Sequence, residues 1–275
     1  MSESHLAHLD AIGVITERTI RDSDKSYVVS GTFRGRAVVA KVLTSEDPHW
    51  IERQAWERGL YASLGEHPPP VRLPKLLHET DRCLVLERLP GTVLAPGRYP
   101  SGLDPIGVWR VLDALAQLHS WSAGTALGPA ELPTASLIDR QAASGQLRPR
   151  DRELVEQLLD GATAVRPEHG DPLASNILIS PGSVGLIDLE HTGLRLPGVD
   201  WAVIRLLWAP GNPWVAPLIE DRVRQEGIDR SYAVHLMLLA CREWRVHLRD
   251  GRVPESMRST LTANINLARR AVSLA

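Results

Sequence analysis

The chain has 275 residues, of which 43% are hydrophobic and 23% charged, the make-up of a globular protein with ample material for a core. Whole-chain disorder is excluded. A formal net charge of -2 lacks the positive footprint that non-specific nucleic-acid binding needs. The two cysteines, Cys83 and Cys241, stand far apart in apolar surroundings and read as reduced core thiols, not as metal ligands. No basic region followed by an apolar run opens the chain. The apolar stretches at 201–210 and 232–241 are interrupted by Arg205 and His235 and fall short of the ~20 residues that cross a bilayer. A cytoplasmic protein without membrane or nucleic-acid partners is the expectation.

In chain order, residues 13–43 read as three strands joined by short turns. GVITERTIR is followed by the polar turn DSDKS, YVVSGTF by Arg34-Gly35-Arg36, and AVVAKVL completes an antiparallel meander. Ser45, Glu46, Asp47 and Pro48 mark a helix start, and the helix runs from about Trp50 to Leu64. Pro68-Pro69-Pro70 forces an extended segment. RCLVLERL, 82–89, reads as a further buried strand that Pro90-Gly91 breaks, which puts a domain boundary there: residues 1–89 and 90–275. The second part is mainly helical. Asp104 to Trp121 carries apolar residues at a helical rhythm, a Pro/Gly-rich loop and a helix at 151–164 fill 122–165, and the runs 177–180 and 184–189 read as a β-hairpin. The remainder is helices between Gly/Pro loops. Strands first and helices later is an α+β pattern.

Chemistry concentrates in HGDPLASN, His169 to Asn176, and in Asp188 at the end of GLIDLEH. If the hairpin brings these together, the Asp188 carboxylate and the Asn176 amide oxygen converge as hard ligands of the kind Mg²⁺ accepts. Asp171 then faces a substrate hydroxyl.

These residues resemble the catalytic loop of the aminoglycoside phosphotransferase/choline kinase family, the small-molecule branch of the protein-kinase-like fold. The resemblance implies a two-lobed fold, with a small antiparallel-sheet lobe and a mainly helical lobe, and extends over roughly residues 13–250. It also assigns roles. Lys41, one of only three lysines in the chain, holds the phosphates of ATP or GTP, and Glu57 on the following helix pairs with it. Backbone groups from Glu87 to Leu89 meet the purine base, and Val39, Leu178 and Ile187 wall it. Asn176 and Asp188 hold Mg²⁺, Asp171 is catalytic, and His169 and Asp200 brace the loop. The phosphate loop departs from the kinase pattern: DSDKS has no glycine, so Ser23 and Ser26 are the expected phosphate donors, with Lys25 within reach. About fifty residues separate LAQLHSW from His169, and eleven separate Asp188 from Asp200. The first gap resembles the acceptor-walling insert of antibiotic kinases, and the second leaves no room for a peptide-docking activation loop.

The implied activity is transfer of the γ-phosphate to a hydroxyl of a small molecule, foremost an antibiotic. A metabolic kinase of choline, homoserine or a sugar is the alternative, and a nucleotide-binding pseudokinase a third reading that the intact Lys41, Asp171, Asn176 and Asp188 set opposes. From Trp201 onward arginines outnumber acids eleven to seven, which argues against a polycationic acceptor. Trp208, Glu190 and Glu243 are the candidate acceptor contacts.

Overall fold

A computed structural model describes residues 2–122, 127–128, 131–248 and 252–275. Part of the Pro/Gly-rich loop read at 122–165 lies outside them. The strands are β1 (Val14–Asp22), β2 (Ser26–Phe33), β3 (Arg36–Leu43), β4 (Leu76–Thr80), β5 (Cys83–Glu87), β6 (Thr92–Val93), β7 (Arg166–Glu168), β8 (Ile177–Ser180), β9 (Ser183–Leu186) and β10 (Gly193–Arg195). The helices are α1 (Ser2–Ala11), α2 (Pro48–Glu66), α3 (Pro105–His119), α4 (Ala135–Ala142), α5 (Pro149–Leu159), α6 (Val199–Leu207), α7 (Val215–Glu226), α8 (Asp229–Val246) and α9 (Glu255–Leu274). The chain divides into two compact units: residues 1–92, 121–128 and 177–191 form the first, and 93–120, 129–176 and 192–275 the second.

The first unit is built on a five-stranded antiparallel sheet in the order β1-β2-β3-β5-β4. The alternation within β3 decides which face is buried. Val38, Ala40 and Val42 enter a core with Val29, Phe33, Cys83 and Val85, which by strand period leaves Val39 and Lys41 on the opposite face. α1 was not evident in the opening residues, which show no clear periodicity. Its Leu9 is fully buried in the same core, so tertiary packing stabilises a helix too short to hold itself. α2 starts where expected: Pro48 is at its first turn, and the Asp47 carboxylate accepts from His49 N at 2.9 Å. Its buried residues Gln54, Glu57, Leu60, Tyr61 and Leu64 form one stripe at helical spacing. β8 and β9 form the expected hairpin, pairing Ile177 with Leu186 through Ser180 with Ser183.

The second unit is mainly helical and includes the short antiparallel pair of β7 and β10. Neither strand was legible in the sequence, because three residues are too few to show a period. The expected helix at 151–164 is α5, shifted to begin at Pro149, and α4 precedes it.

Gly31, in β2, lies against β1 so closely that an added Cβ would stand 2.3 Å from the Ile15 carbonyl oxygen. Gly59 in α2 has open space at the corresponding position. Gly31→Ala is therefore expected to destabilise the fold by about 1–3 kcal/mol, whereas Gly59→Ala should leave it unchanged or add up to ~1 kcal/mol. Urea unfolding of the two variants beside the parent protein measures both.

Candidate active site

In the first unit the side chains that sequence singled out meet at Lys41. Its ammonium donates to Glu57 Oε2 at 2.7 Å, to Asp188 Oδ1 at 2.8 Å and to Glu190 Oε2 at 3.3 Å. Glu57 reaches it from the buried stripe of α2 and is 0% exposed. Asp188 reaches it from just beyond β9, where its φ of 63° is left-handed, a conformation that Asp tolerates better than most residues. Burial pulls the lysine pKa down, but the three carboxylates more than offset this and hold it well above its usual value. Asp188 is lowered: burial opposes its charge, and the charge and hydrogen bond of Lys41, with Lys25 and Arg21 beyond, override it. Three carboxylates share this ammonium, and burial leaves Glu57, the most enclosed of them, with a raised pKa despite Lys41.

Glu190, expected at the acceptor, belongs to this lysine cluster instead. Both its oxygens lie 2.5 Å from Lys25 Nζ, and Arg53 donates to its backbone carbonyl at 3.4 Å. Ser23 has a local partner. The Ser23 hydroxyl donates to Ser26 O at 3.0 Å and accepts from Ser26 N at 3.2 Å, so it closes the turn, while the Ser26 side chain is buried. Val39, Leu178 and Ile187 are half-buried, and the Leu89 side chain is buried beside Gly185. The Glu87 amide donates to Lys75 O at 2.8 Å.

The second unit holds the loop 169–176. Asp200, at the start of α6, accepts from His169 N at 2.8 Å and Gly170 N at 2.7 Å. Glu168 accepts in turn from Gly198 N at 2.8 Å and Asp200 N at 3.0 Å. Gly198 sits at φ 104°, where a side chain would be strained. His119 Nε2 completes the set, 2.9 Å from Asp200 and 3.3 Å from Glu168. Sequence pointed to His169 and Asp200 but missed His119 and Glu168; the adjacency of Glu168 to His169 was the only signal. The His169 carbonyl accepts from the Thr192 hydroxyl at 3.1 Å, and Asn176 Nδ2 donates to Asp171 O at 3.0 Å. That bond spends the nitrogen of the Asn176 amide and leaves its oxygen as the group with ligand character.

Around Asp171 lies a small pocket with an apolar side formed by Leu206, Leu207 and Leu239 and a charged side formed by Arg98, Arg242 and Glu243. Arg242 Nη1 is 3.8 Å from Asp171 Oδ1. Glu243 is gripped by Arg98 at 2.6 and 2.8 Å and by the Tyr99 hydroxyl at 3.1 Å. Burial raises the pKa of Glu243, but these bonds and charges bring it below its usual value. Trp208 is 0% exposed and so offers no indole face to an acceptor.

The model of the phosphotransferase enzyme family (APH) matches residues 19–236. The chain belongs to that family and is an NTP-dependent small-molecule kinase. No curated protein matches its sequence. Among solved structures it is similar to a macrolide 2'-phosphotransferase of Brachybacterium faecium, with 18% identity, a TM-score of 0.65 and coverage of 96% of this chain and 98% of that one. It is equally similar to a choline/ethanolamine kinase family protein of Mesorhizobium loti, with 17% identity, a TM-score of 0.65 and coverage of 98% and 94%. APH(2'')-IIa in a ternary complex with streptomycin and ATP is a third relative, with 13% identity, a TM-score of 0.61 and coverage of 90% and 93%. The fold is thus the kinase-like α+β fold, with a five-stranded antiparallel sheet and a helical C-terminal part.

The buried His119 makes fold stability depend on pH. Burial alone would lower its pKa from 6.5, but the charge of Glu168 and the hydrogen bonds to Asp200 and Glu168 raise it to about 9. The ordinary value near 6.5 holds in the unfolded chain. A raised folded-state pKa contributes stability that is fully present below pH 6.5 and lost as pH rises through about 9. Unfolding free energy measured by urea should therefore fall by a few kcal/mol across that window, and His119→Gln should flatten the fall. Parallel profiles for the two proteins would contradict it.

Proposed function

We propose that the chain transfers the γ-phosphate of ATP or GTP to a hydroxyl of a small antibiotic that is neutral or weakly charged. The observation that carries the kinase roles is the Lys41 ammonium held between Glu57 at 2.7 Å and Asp188 at 2.8 Å. Lys41, fixed by Glu57, binds nucleotide phosphates in this reading. Residues 1–89 are the nucleotide lobe, with Val39 and the 87–89 backbone at the base, and residues 90–275 carry the catalytic loop and the acceptor, with Leu178 and Ile187 as further walls of the base.

The donor set suits Mg²⁺, which prefers oxygen ligands. Asn176 presents its amide oxygen, since its nitrogen is spent on Asp171 O, and Asp188 carries a carboxylate held ionised. Asn176 and Asp188 would hold the ion, and when bound it neutralises phosphate charge. Asp171 orients the acceptor hydroxyl and takes its proton late, because phosphoryl transfer through a loose transition state asks mostly for positioning and charge neutralisation. Asp200, through the His169 and Gly170 amides, fixes the loop that carries Asp171.

Arg98 and Arg242 balance Glu243 and Asp171 in the lining of the pocket around Asp171, so that pocket has no excess of negative charge to draw a cluster of amines, which supports the choice of acceptor. A metabolic small-alcohol kinase is the second reading, favoured by the likeness to the choline/ethanolamine kinase family protein, whose TM-score of 0.65 equals that of the macrolide enzyme. The test is an antibiotic panel on sensitive cells that express the chain, with mass spectrometry for a phosphate adduct. Resistance with an adduct supports the proposal; phosphorylation confined to choline-, homoserine- or sugar-type alcohols moves the assignment to the second reading. On the substrate found, Asp171→Ala should lower kcat by roughly 1,000-fold or more with nucleotide affinity kept. A near-parental kcat would refute the role of Asp171.

A further inference from the structure

The DSDKS turn between β1 and β2 has no glycine, so it cannot offer phosphates the close backbone approach of a glycine-rich loop. It is nonetheless firmly built. Ser23 closes it through both hydrogen bonds to Ser26. The Thr44 and Ser45 amides donate to Lys25 O at 3.0 and 3.3 Å, and the Thr44 hydroxyl reaches Ser23 O at 3.1 Å and Asp24 O at 3.2 Å. A solvated hairpin tip has no need of such clasps. Their effect is to fix the backbone of Lys25.

The Lys25 ammonium lies 2.5 Å from each Glu190 oxygen and 4.3 Å from the centroid of the Trp50 ring, an attractive cation–π placement. Glu190 Oε2 is also 3.3 Å from Lys41. One carboxylate thus bridges two ammonium groups. A small pocket at this point is lined by Lys25, Lys41, Glu190, Trp50, Ser26 and Gln54. The Ser26 hydroxyl and the Gln54 amide are buried there, at 0% and 6% exposure, with no hydrogen-bond partner among the described residues. Apart from Glu190, every polar group in the lining can donate to an oxyanion. His191, 3.5 Å from Glu190, and Arg21, 3.9 Å from Asp188, are further basic groups nearby.

We infer that Lys25 is a phosphate-binding residue of this kinase, and that the Glu190 carboxylate stands where a nucleotide phosphate binds between Lys25 and Lys41. The inference rests on the kinase reading above and adds how the site grips its nucleotide. Phosphate and Glu190 compete for the same two ammonium groups. Exchange of one anion for the other keeps both lysines paired, and the phosphate brings more charge and more acceptor oxygens than the carboxylate it replaces. Side-chain charge here does what backbone amides do in a glycine loop.

The test is calorimetric titration of the purified full chain, with Mg²⁺ present, using adenosine and guanosine and the non-hydrolysable triphosphate analogue of each. Lys25→Ala should weaken triphosphate binding on the order of 10- to 100-fold, the range of a charge-assisted hydrogen bond, and leave nucleoside affinity within about twofold. Lys25→Arg should recover most of the loss. Glu190→Gln, which removes the competing charge, should tighten triphosphate binding. Unchanged triphosphate affinity in Lys25→Ala, equal loss for nucleoside and triphosphate, or weaker binding in Glu190→Gln would overturn the inference while the kinase reading stands. A parental chain that binds none of these ligands would sink both.

Discussion

The constraint on which the first unit depends is the pairing of one ammonium with three carboxylates. Lys41 is almost fully buried, and a buried charge costs several kcal/mol unless its partners are well placed. Here they come from α2 and from the segment just beyond β9, far apart in sequence. Removing Lys41 would leave Glu57, 0% exposed, without its cation. Buried ion pairs are seldom the cheapest way to stabilise a fold. This one holds a positive charge rigidly in place, which suits the phosphate-binding role proposed for Lys41.

The second unit solves the complementary problem of holding a polar loop still. Backbone amides at His169 and Gly170 are satisfied by Asp200, and Asp200 and Gly198 amides by Glu168. Two buried acids side by side would repel, and His119 in its charged form lies between them. Arg166 Nε adds a second cation to Glu168 at 2.7 Å. In both units the side chains proposed for phosphoryl transfer sit among buried, hydrogen-bonded charges, which narrows their positional freedom.

Much of this was legible in the sequence because it is carried by short-range patterns. The alternation of AVVAKVL places Lys41 opposite the core-facing Val38, Ala40 and Val42, and the spacing within HGDPLASN puts Asp171 and Asn176 on one tight loop. What was not legible depends on long-range partners. His119 meets Asp200 across 81 residues, and nothing around it distinguishes it from any histidine at a helix end. The place of Glu190 beside Lys25 was equally hidden, because the bond between them spans 165 residues. Trp208 attracted notice for its type, but its position at the C-terminal cap of α6 leaves it completely buried. α1 and the β7–β10 pair escaped because each owes its form to tertiary packing and not to local preference.

The most direct measurement is a crystal structure of the chain with a non-hydrolysable nucleotide triphosphate analogue and Mg²⁺. The account predicts phosphate oxygens within ~3 Å of Lys41 Nζ, with the pair between Lys41 and Glu57, 2.7 Å here, still made. A complex in which the phosphates lie elsewhere and Lys41 keeps all three carboxylates to itself would contradict it.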